Sequence, residues 1–359
     1  MLIWRFDSAA ENRLKDILEI AAPTSYEVMM GNYLRKIWTA QSLDVSSDVL
    51  GNVYASLPGV TPIHIGLVAH MDTIAVQISK VLPNGMLHFR SLGLIPQVMG
   101  GQKVNILSDN GLIKGIVGFD PLAQYGVSKG ITDEDLWIDI GTSSAQESLS
   151  QVSIGDFVVL QTQYLRLGEN RISASGLDDR IGLFIINECM RWFTSRGTSL
   201  CLHVIGSVQE EIGLRGVSVV TNHQHLDVCF VLDVDFATDI ATSYENQPGE
   251  LSLGKGIGMH RKADNNIVLQ RIMRDVAEEK GFPYQISLGR RIYGGTDASV
   301  LQLQKEGIAT MNINIPCRYM HSASEICDIR DIEIAVNLLI EAINRIAALN
   351  KKSFIPGID

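Results

Sequence analysis

Apolar positions recur at helical spacing over residues 8–22 (SAAENRLKDILEIAA) and 25–41 (SYEVMMGNYLRKIWTAQ), with Ser25 placed to cap the second helix. Residues 44–59 (DVSSDVLGNVYASLPG) read as a hairpin turning at Gly51. A buried strand over 61–72 (TPIHIGLVAHMD) then ends in polar residues. From Ile74 to Gly168 the pattern changes to short β-rich runs, such as GMLHFRSL and DFVVLQTQYLRL, punctuated by Gly, Asn and Asp. That spacing predicts a small β-barrel or sandwich. Helix and strand alternate afterwards: helix Arg180–Phe193, strands Leu200–Val208 and Val228–Val234, helix Ala263–Lys280, strand Gly307–Ile315 and helix Ile329–Ala348. Such alternation predicts an α/β sheet with helices on both faces. The expected organisation is a discontinuous α/β domain, residues 1–73 and 169–359, with a β-rich domain, residues 74–168, inserted into it.

Composition narrows the class. Apolar residues make up 46% of the 359 and charged residues 19%, enough for a large core and against disorder. Thirty basic against forty acidic residues give a net charge of −10 without a basic run, so nucleic acid is not an expected partner. The five cysteines (Cys189, Cys201, Cys229, Cys317, Cys327) form no CxxC pair and read mostly as small core hydrophobes, which fits a reducing compartment. The N-terminal stretch lacks the long apolar core of a signal peptide, and no window reaches the length of a membrane span. A cytoplasmic protein without a membrane partner is expected.

The candidate chemistry sits at one recurrent place. His70 and Asp72 follow the run IHIGLVA; Glu210 and Glu211 follow LCLHVIGSV; Asp233 ends VCFVL; His321 follows ATMNINIPCRY; Asp178 and Asp179 open a helix. Ligands of open α/β sheets bind outside the carboxyl ends of the strands, so these residues are expected to converge on one crevice. Taken singly, each has a plainer role. A strand-end His can be structural, as His64, His88, His203, His223, His225 and His260 are read. LDDR can be a helix cap, and Asp233 and Asp235 can be turn residues. Together they make a costly burial of acids unless cations offset it. Imidazole with carboxylate suits zinc, and also cobalt or manganese. In His70-Met71-Asp72 the acid can orient the ring of a ligating His.

The stretches AHMD, PQVMGGQKVNIL, GIVG, DLWIDIGTSS, GDFV, SGLDDRIG, VQEEIGLRG, VLDVD, GGTDAS and IPCRYMHSASEICDIRDIE run nearly end to end. Through them the chain resembles the M42 family of dinuclear-metal aminopeptidases, the glutamyl and tetrahedral aminopeptidase group. The resemblance implies an α/β metallopeptidase domain with a mixed sheet and an inserted β-barrel used for assembly. It implies two divalent metals, zinc or cobalt with manganese possible. One would take Asp178, Glu211 and His321; the other Asp178, His70 and Asp233. It implies Asp72 as the orienter of His70, Glu210 as general base, and Gly295, Thr296 and Asp297 of the GGTDAS loop along the substrate crevice. Removal of N-terminal residues from peptides follows, in a homo-oligomer of twelve subunits built from dimers. An amidohydrolase acting on a non-peptide amide would activate water identically; a glycan-active enzyme would leave the metal ligands unexplained. A non-catalytic scaffold would be expected to have lost a ligand or the base, and none is missing. Three features depart from the family pattern: Thr73, Ile74 and Ala75 after AHMD; AAPTSYE near the start; and Cys317 where Thr or Val is commoner.

Overall fold

The computed structural model describes residues 3–61, 63–120, 130–241, 250–288 and 295–357. Helices α1 (Ser8–Leu18) and α2 (Val28–Ala40) precede strands β1 (Asp44–Ser47), β2 (Val53–Leu57) and β3 (His64–His70). Next come β4 (Ala75–Val81), β5 (Leu87–Leu92), β6 (Lys103–Ser108), β7 (Gly111–Phe119), β8 (Leu136–Asp139), the short helix α3 (Ala145–Leu149) and β9 (Phe157–Leu160). The chain continues through β10 (Leu165–Leu167), β11 (Arg171–Ala174), α4 (Leu177–Arg196), β12 (Cys201–Ser207), α5 (Val220–His223) and β13 (Val228–Phe236). It ends with β14 (Ile257–His260), α6 (Ile267–Lys280), β15 (Tyr284–Ser287), α7 (Ala298–Leu301), β16 (Ala309–Cys317), β17 (Glu325–Asp328) and α8 (Ile329–Ile346).

Eight strands form one mixed sheet in the order β1-β2-β12-β3-β13-β16-β14-β15. Its centre, β12, β3, β13 and β16, is parallel, and these strands are near-continuous apolar runs, as a sheet covered on both faces requires. Helices α4 and α8 pack against this sheet and each other through Phe184, Ile185, Leu338 and Leu339, all fully buried. Strands β4 to β9 close a separate six-stranded barrel in the order β4-β5-β8-β7-β6-β9, with its own apolar core. Sequence runs of β-rich character thus become a closed barrel, and the alternating segments a mixed α/β sheet.

Several elements differ from the sequence pattern. Ser25 does not cap α2: its φ is +74°, and its N–H donates to the Glu27 carboxylate at 2.8 Å. Glu27 occupies the cap position. Helix α6 starts at Ile267, four positions after Ala263, because Asn266 accepts from Val268 N–H and Leu269 N–H and fixes the first turn there. Strands β14 and β15 were not evident in the sequence. Their approach depends on Gly256, at φ +90°, where a Cβ would meet the Pro283 carbonyl oxygen at 1.9 Å.

Candidate metal centre

The parallel register sets the site. Ser207, the last residue of β12, lies beside His70, the last of β3. Asp233 in β13 lies beside Asn314 in β16. The carboxyl ends of four neighbouring strands therefore deliver His70, Glu210 and Glu211, Asp233, and His321 to one edge. Asp178 reaches them from the irregular start of α4, where it and Asp179 lie outside helical dihedrals.

Two triads result. His70, Asp178 and Asp233 each offer a ligand atom within 4.8 Å of the others, and so do Asp178, Glu211 and His321. These are the same two sets that the family resemblance implied. Asp178 is common to both. Its Oδ1 lies 3.1 Å from His70 Nε2 and its Oδ2 lies 3.3 Å from His321 Nε2. His321 Nε2 is also 3.5 Å from Glu211 Oε2. Glu210 belongs to neither triad, although it lines the same cavity.

Adjacent glutamates can share one site here because they have left the strand. Gln209 has φ +56°, in the left-handed region, and turns the chain away from the sheet. Asp72, fully buried, fixes the next two peptides: its Oδ1 accepts from Glu210 N–H at 3.0 Å and its Oδ2 from Glu211 N–H at 3.1 Å. The same residue also addresses His70. His70 Nδ1 lies 3.0 Å from the Asp72 carbonyl oxygen and 3.4 Å from its carboxylate. Nδ1–H donating towards Asp72 leaves the Nε2 lone pair aimed at Asp178.

Glu325 was missed by sequence reasoning. Its Oε2 accepts from Asp178 N–H at 3.2 Å and its Oε1 from His321 N–H at 2.8 Å, so one buried carboxylate holds the backbone of two triad members. The available signal was its place at the start of a strand in SASEICDI. His321 itself has φ +63° and Tyr319 φ +58°.

Electrostatically the site is dominated by acids. Burial, followed by neighbouring acids such as Asp178, pushes Glu211 and Asp233 well above the usual carboxylate range. Glu210 is raised by burial and then by Asp233, Asp297 and Glu211, with His70 opposing. Burial and then the Asp178 charge push Glu325 up to about 8. Asp178 moves the other way: burial opposes its charge, but the two imidazoles hold it well below its ordinary value. Glu211 Oε1 is buried without a hydrogen-bond partner. Imidazole lone pairs, clustered carboxylates and an orphaned carboxylate oxygen fit divalent cations, whose charge offsets this burial.

A cavity of about 630 Å³ opens over the triads. Gly295 and Thr296 line it, together with Phe236, His260, Lys262 and Met320. Asp297 lies beneath instead, its Oδ2 accepting from Ser207 Oγ at 2.6 Å. Gly294, the first residue of GGTDAS, lies outside the described residues. Sequence reasoning also passed over His260 and Asp235, which pair at 2.7 Å within the cavity wall.

A two-triad site at the carboxyl edge of an α/β sheet with a barrel attached defines a class of metallopeptidase. Residues 51–338 match the family described as M42 glutamyl aminopeptidase, and the chain belongs to that family. It is 31% identical to a lysyl aminopeptidase of Pyrococcus furiosus over 90% of this chain and 94% of the relative. Its fold matches a TET aminopeptidase from a marine-sediment Thaumarchaeota archaeon, with a TM-score of 0.88 at 28% identity, covering 94% and 96% of the two chains. It is also similar to the TET1 peptidase of Pyrococcus horikoshii, described as assembling into a tetrahedron or a large octahedral shell. There the TM-score is 0.82 at 29% identity, over 92% and 98% of the chains.

Proposed function

We propose that the chain is a two-metal aminopeptidase that removes N-terminal residues from peptides, with Glu210 as general base. The observation that carries this reading is Asp178, placed between two imidazoles and shared by two ligand triads, with a second glutamate beside them that joins neither. Asp178, Glu211 and His321 would hold one divalent ion, and Asp178, His70 and Asp233 the other; zinc and cobalt suit these donors, and manganese is accepted by them. When bound, such a pair supplies polarisation of the scissile carbonyl and acidification of a water.

The chain's own residues supply the rest. Glu210 takes a proton from the attacking water and returns it to the leaving amine. Asp72 positions the base and the adjacent ligand through their peptide N–H groups and sets the tautomer of His70. Gly295 and Thr296 bound the space for the substrate's first residue.

In this reading residues 1–73 and 169–359 are the catalytic domain and residues 74–168 the assembly domain of a cytoplasmic homo-oligomer, a dodecamer built from dimers. Support comes from the shells formed by the Pyrococcus horikoshii relative and from apolar side chains on the outside of the barrel, Leu112, Ile116 and Ile154 among them. The test is a panel of aminoacyl p-nitroanilides and acyl amides, assayed before and after chelation and after addition of zinc, cobalt or manganese. Metal-dependent release from free-amine substrates is expected. Turnover of acyl amides alone would replace the reading with an amidohydrolase.

A further inference from the structure

We propose that Cys317 and Cys327 form a reversible cross-strand disulfide that latches the segment carrying His321. The register places them. Arg318 N–H donates to Ile326 O at 2.9 Å, and Ile326 N–H donates to Arg318 O at 3.0 Å, an antiparallel bridge that exchanges both bonds. The next pair outward in such a ladder, Cys317 opposite Cys327, is a non-hydrogen-bonded pair. There Cα atoms approach to about 4.5 Å and side chains lie nearest each other. That separation falls within the roughly 4.4–6.8 Å span of disulfides. Both thiols are free and fully buried, and Cys317 Sγ donates to the Arg318 carbonyl oxygen at 3.6 Å.

The position gives the pair a consequence. Strand β16 ends at Cys317, β17 begins at Glu325, and the connecting segment 318–324 presents His321 in a left-handed conformation. Glu325 and Cys327 alternate onto the same face of β17, the face that holds Asp178 N–H and His321 N–H. The β16 side is further tied by Arg318 to Asp239, and β17 by its ladder to β11. Moving His321 away from Asp178 requires these two ends to part. A covalent link between them restrains that opening.

The chemistry needs an oxidant, and a peroxide suffices. One thiolate attacks the peroxide oxygen, giving a sulfenic acid and water. The second thiol displaces that oxygen as a second water. Both S–H bonds break, one S–S bond forms, and the peroxide takes the two electrons. Thiols held protonated by burial react slowly, so the link forms over prolonged oxidation and is absent under reducing conditions.

The test uses full-length, metal-loaded protein in a Cys201→Ser background, which removes the partly exposed thiol. After prolonged hydrogen peroxide treatment, non-reducing peptide mapping should show a link between Cys317 and Cys327, with two thiols lost from titration and recovered by dithiothreitol. Metal loss to a chelator should slow several-fold on oxidation and return to its former rate on reduction. Cys327→Ala and Cys317→Val should each abolish both changes; two variants guard against one failing to fold. Absence of the 317–327 link after prolonged oxidation, or a link that leaves the rate of metal loss unaltered, overturns the proposal.

Discussion

In the barrel, the buried side chains are Val76, Ile78, Phe89, Ile106, Val117, Ile138 and their apolar neighbours. The buried polar side chains between β4 and β9, among the described residues, are Thr142 and Ser148, whose hydroxyls bond to each other and to the Gly85 carbonyl. At the carboxyl edge of the sheet, His70, Asp72, Asp178, Asp179, Asp233, Asp297 and Glu325 are all buried. The first region buries a core that is almost wholly apolar. The second concentrates groups whose burial is costly in isolation. A local breach of folding economy of this kind is what the proposed catalytic site requires, and the barrel's plainness suits the structural role proposed for it. Both regions have backbone turns, but left-handed non-glycine residues gather at the two triads, at Gln209, Leu214, Tyr319 and His321.

The largest expected effect tests whether the acidic edge is a catalyst. Glu210→Gln should lower kcat by about a hundredfold to ten-thousandfold, the usual loss for a general base, while both metals stay bound. Elemental analysis alongside steady-state kinetics checks it. Wild-type kcat at full metal occupancy would remove Glu210 from the role. Next come the proposed ligands. His70→Ala and His321→Ala should each empty mainly one site, read as one metal equivalent lost per subunit, and Glu211→Gln should weaken the triad it shares with His321.

Asp72→Ala should be milder in metal content but should reduce activity by about 10–100-fold, the scale of outer-shell partners of metal ligands. It removes both acceptors that hold the Glu210 and Glu211 peptides and the carboxylate beside His70. Unchanged kcat in a folded Asp72→Ala protein would mean that the Gln209 turn positions the glutamates unaided.

How far the sequence revealed these regions follows from physics at particular residues. His70, Glu211, Asp233 and His321 stood out because each ends or follows an apolar run, and parallel strands carry their ends to one edge; Asp178 stood out as an acid opening a helix. Glu325 did not stand out, because its task is to accept two backbone N–H groups brought together from positions 178 and 321. No local spacing encodes that meeting. The same holds for His260 and Asp235, joined by pairing between β16 and its neighbours on either side. Strands β14 and β15 escaped notice because IGMH and YQIS are too short for a clear period. Ser25 has the right side chain for a cap, but its positive φ puts Glu27 there instead.

The smallest effect on chemistry should come from the barrel's outer surface. Ile116 and Leu112 on β7 are 53% and 56% exposed, although β7 pairs on both sides within a closed barrel. Closure leaves no strand edge to protect, so these side chains are surplus to the barrel's own stability. In the proposed reading these side chains contact another subunit. A double substitution, Leu112→Asp with Ile116→Asp, should shift the protein to smaller species in light scattering. The melting temperature of the isolated subunit should change little, since surface substitutions cost within about 0.5 kcal/mol. Metal content and kcat on a short p-nitroanilide should remain near wild type, because neither residue touches the triads. By contrast Ile106→Ala, in the barrel core, should destabilise by about 2–5 kcal/mol. If the surface double variant keeps the wild-type assembly, the barrel's exposed apolar face is not where subunits meet. If it loses metal as well as assembly, the two regions are coupled and the division of labour drawn between them is wrong.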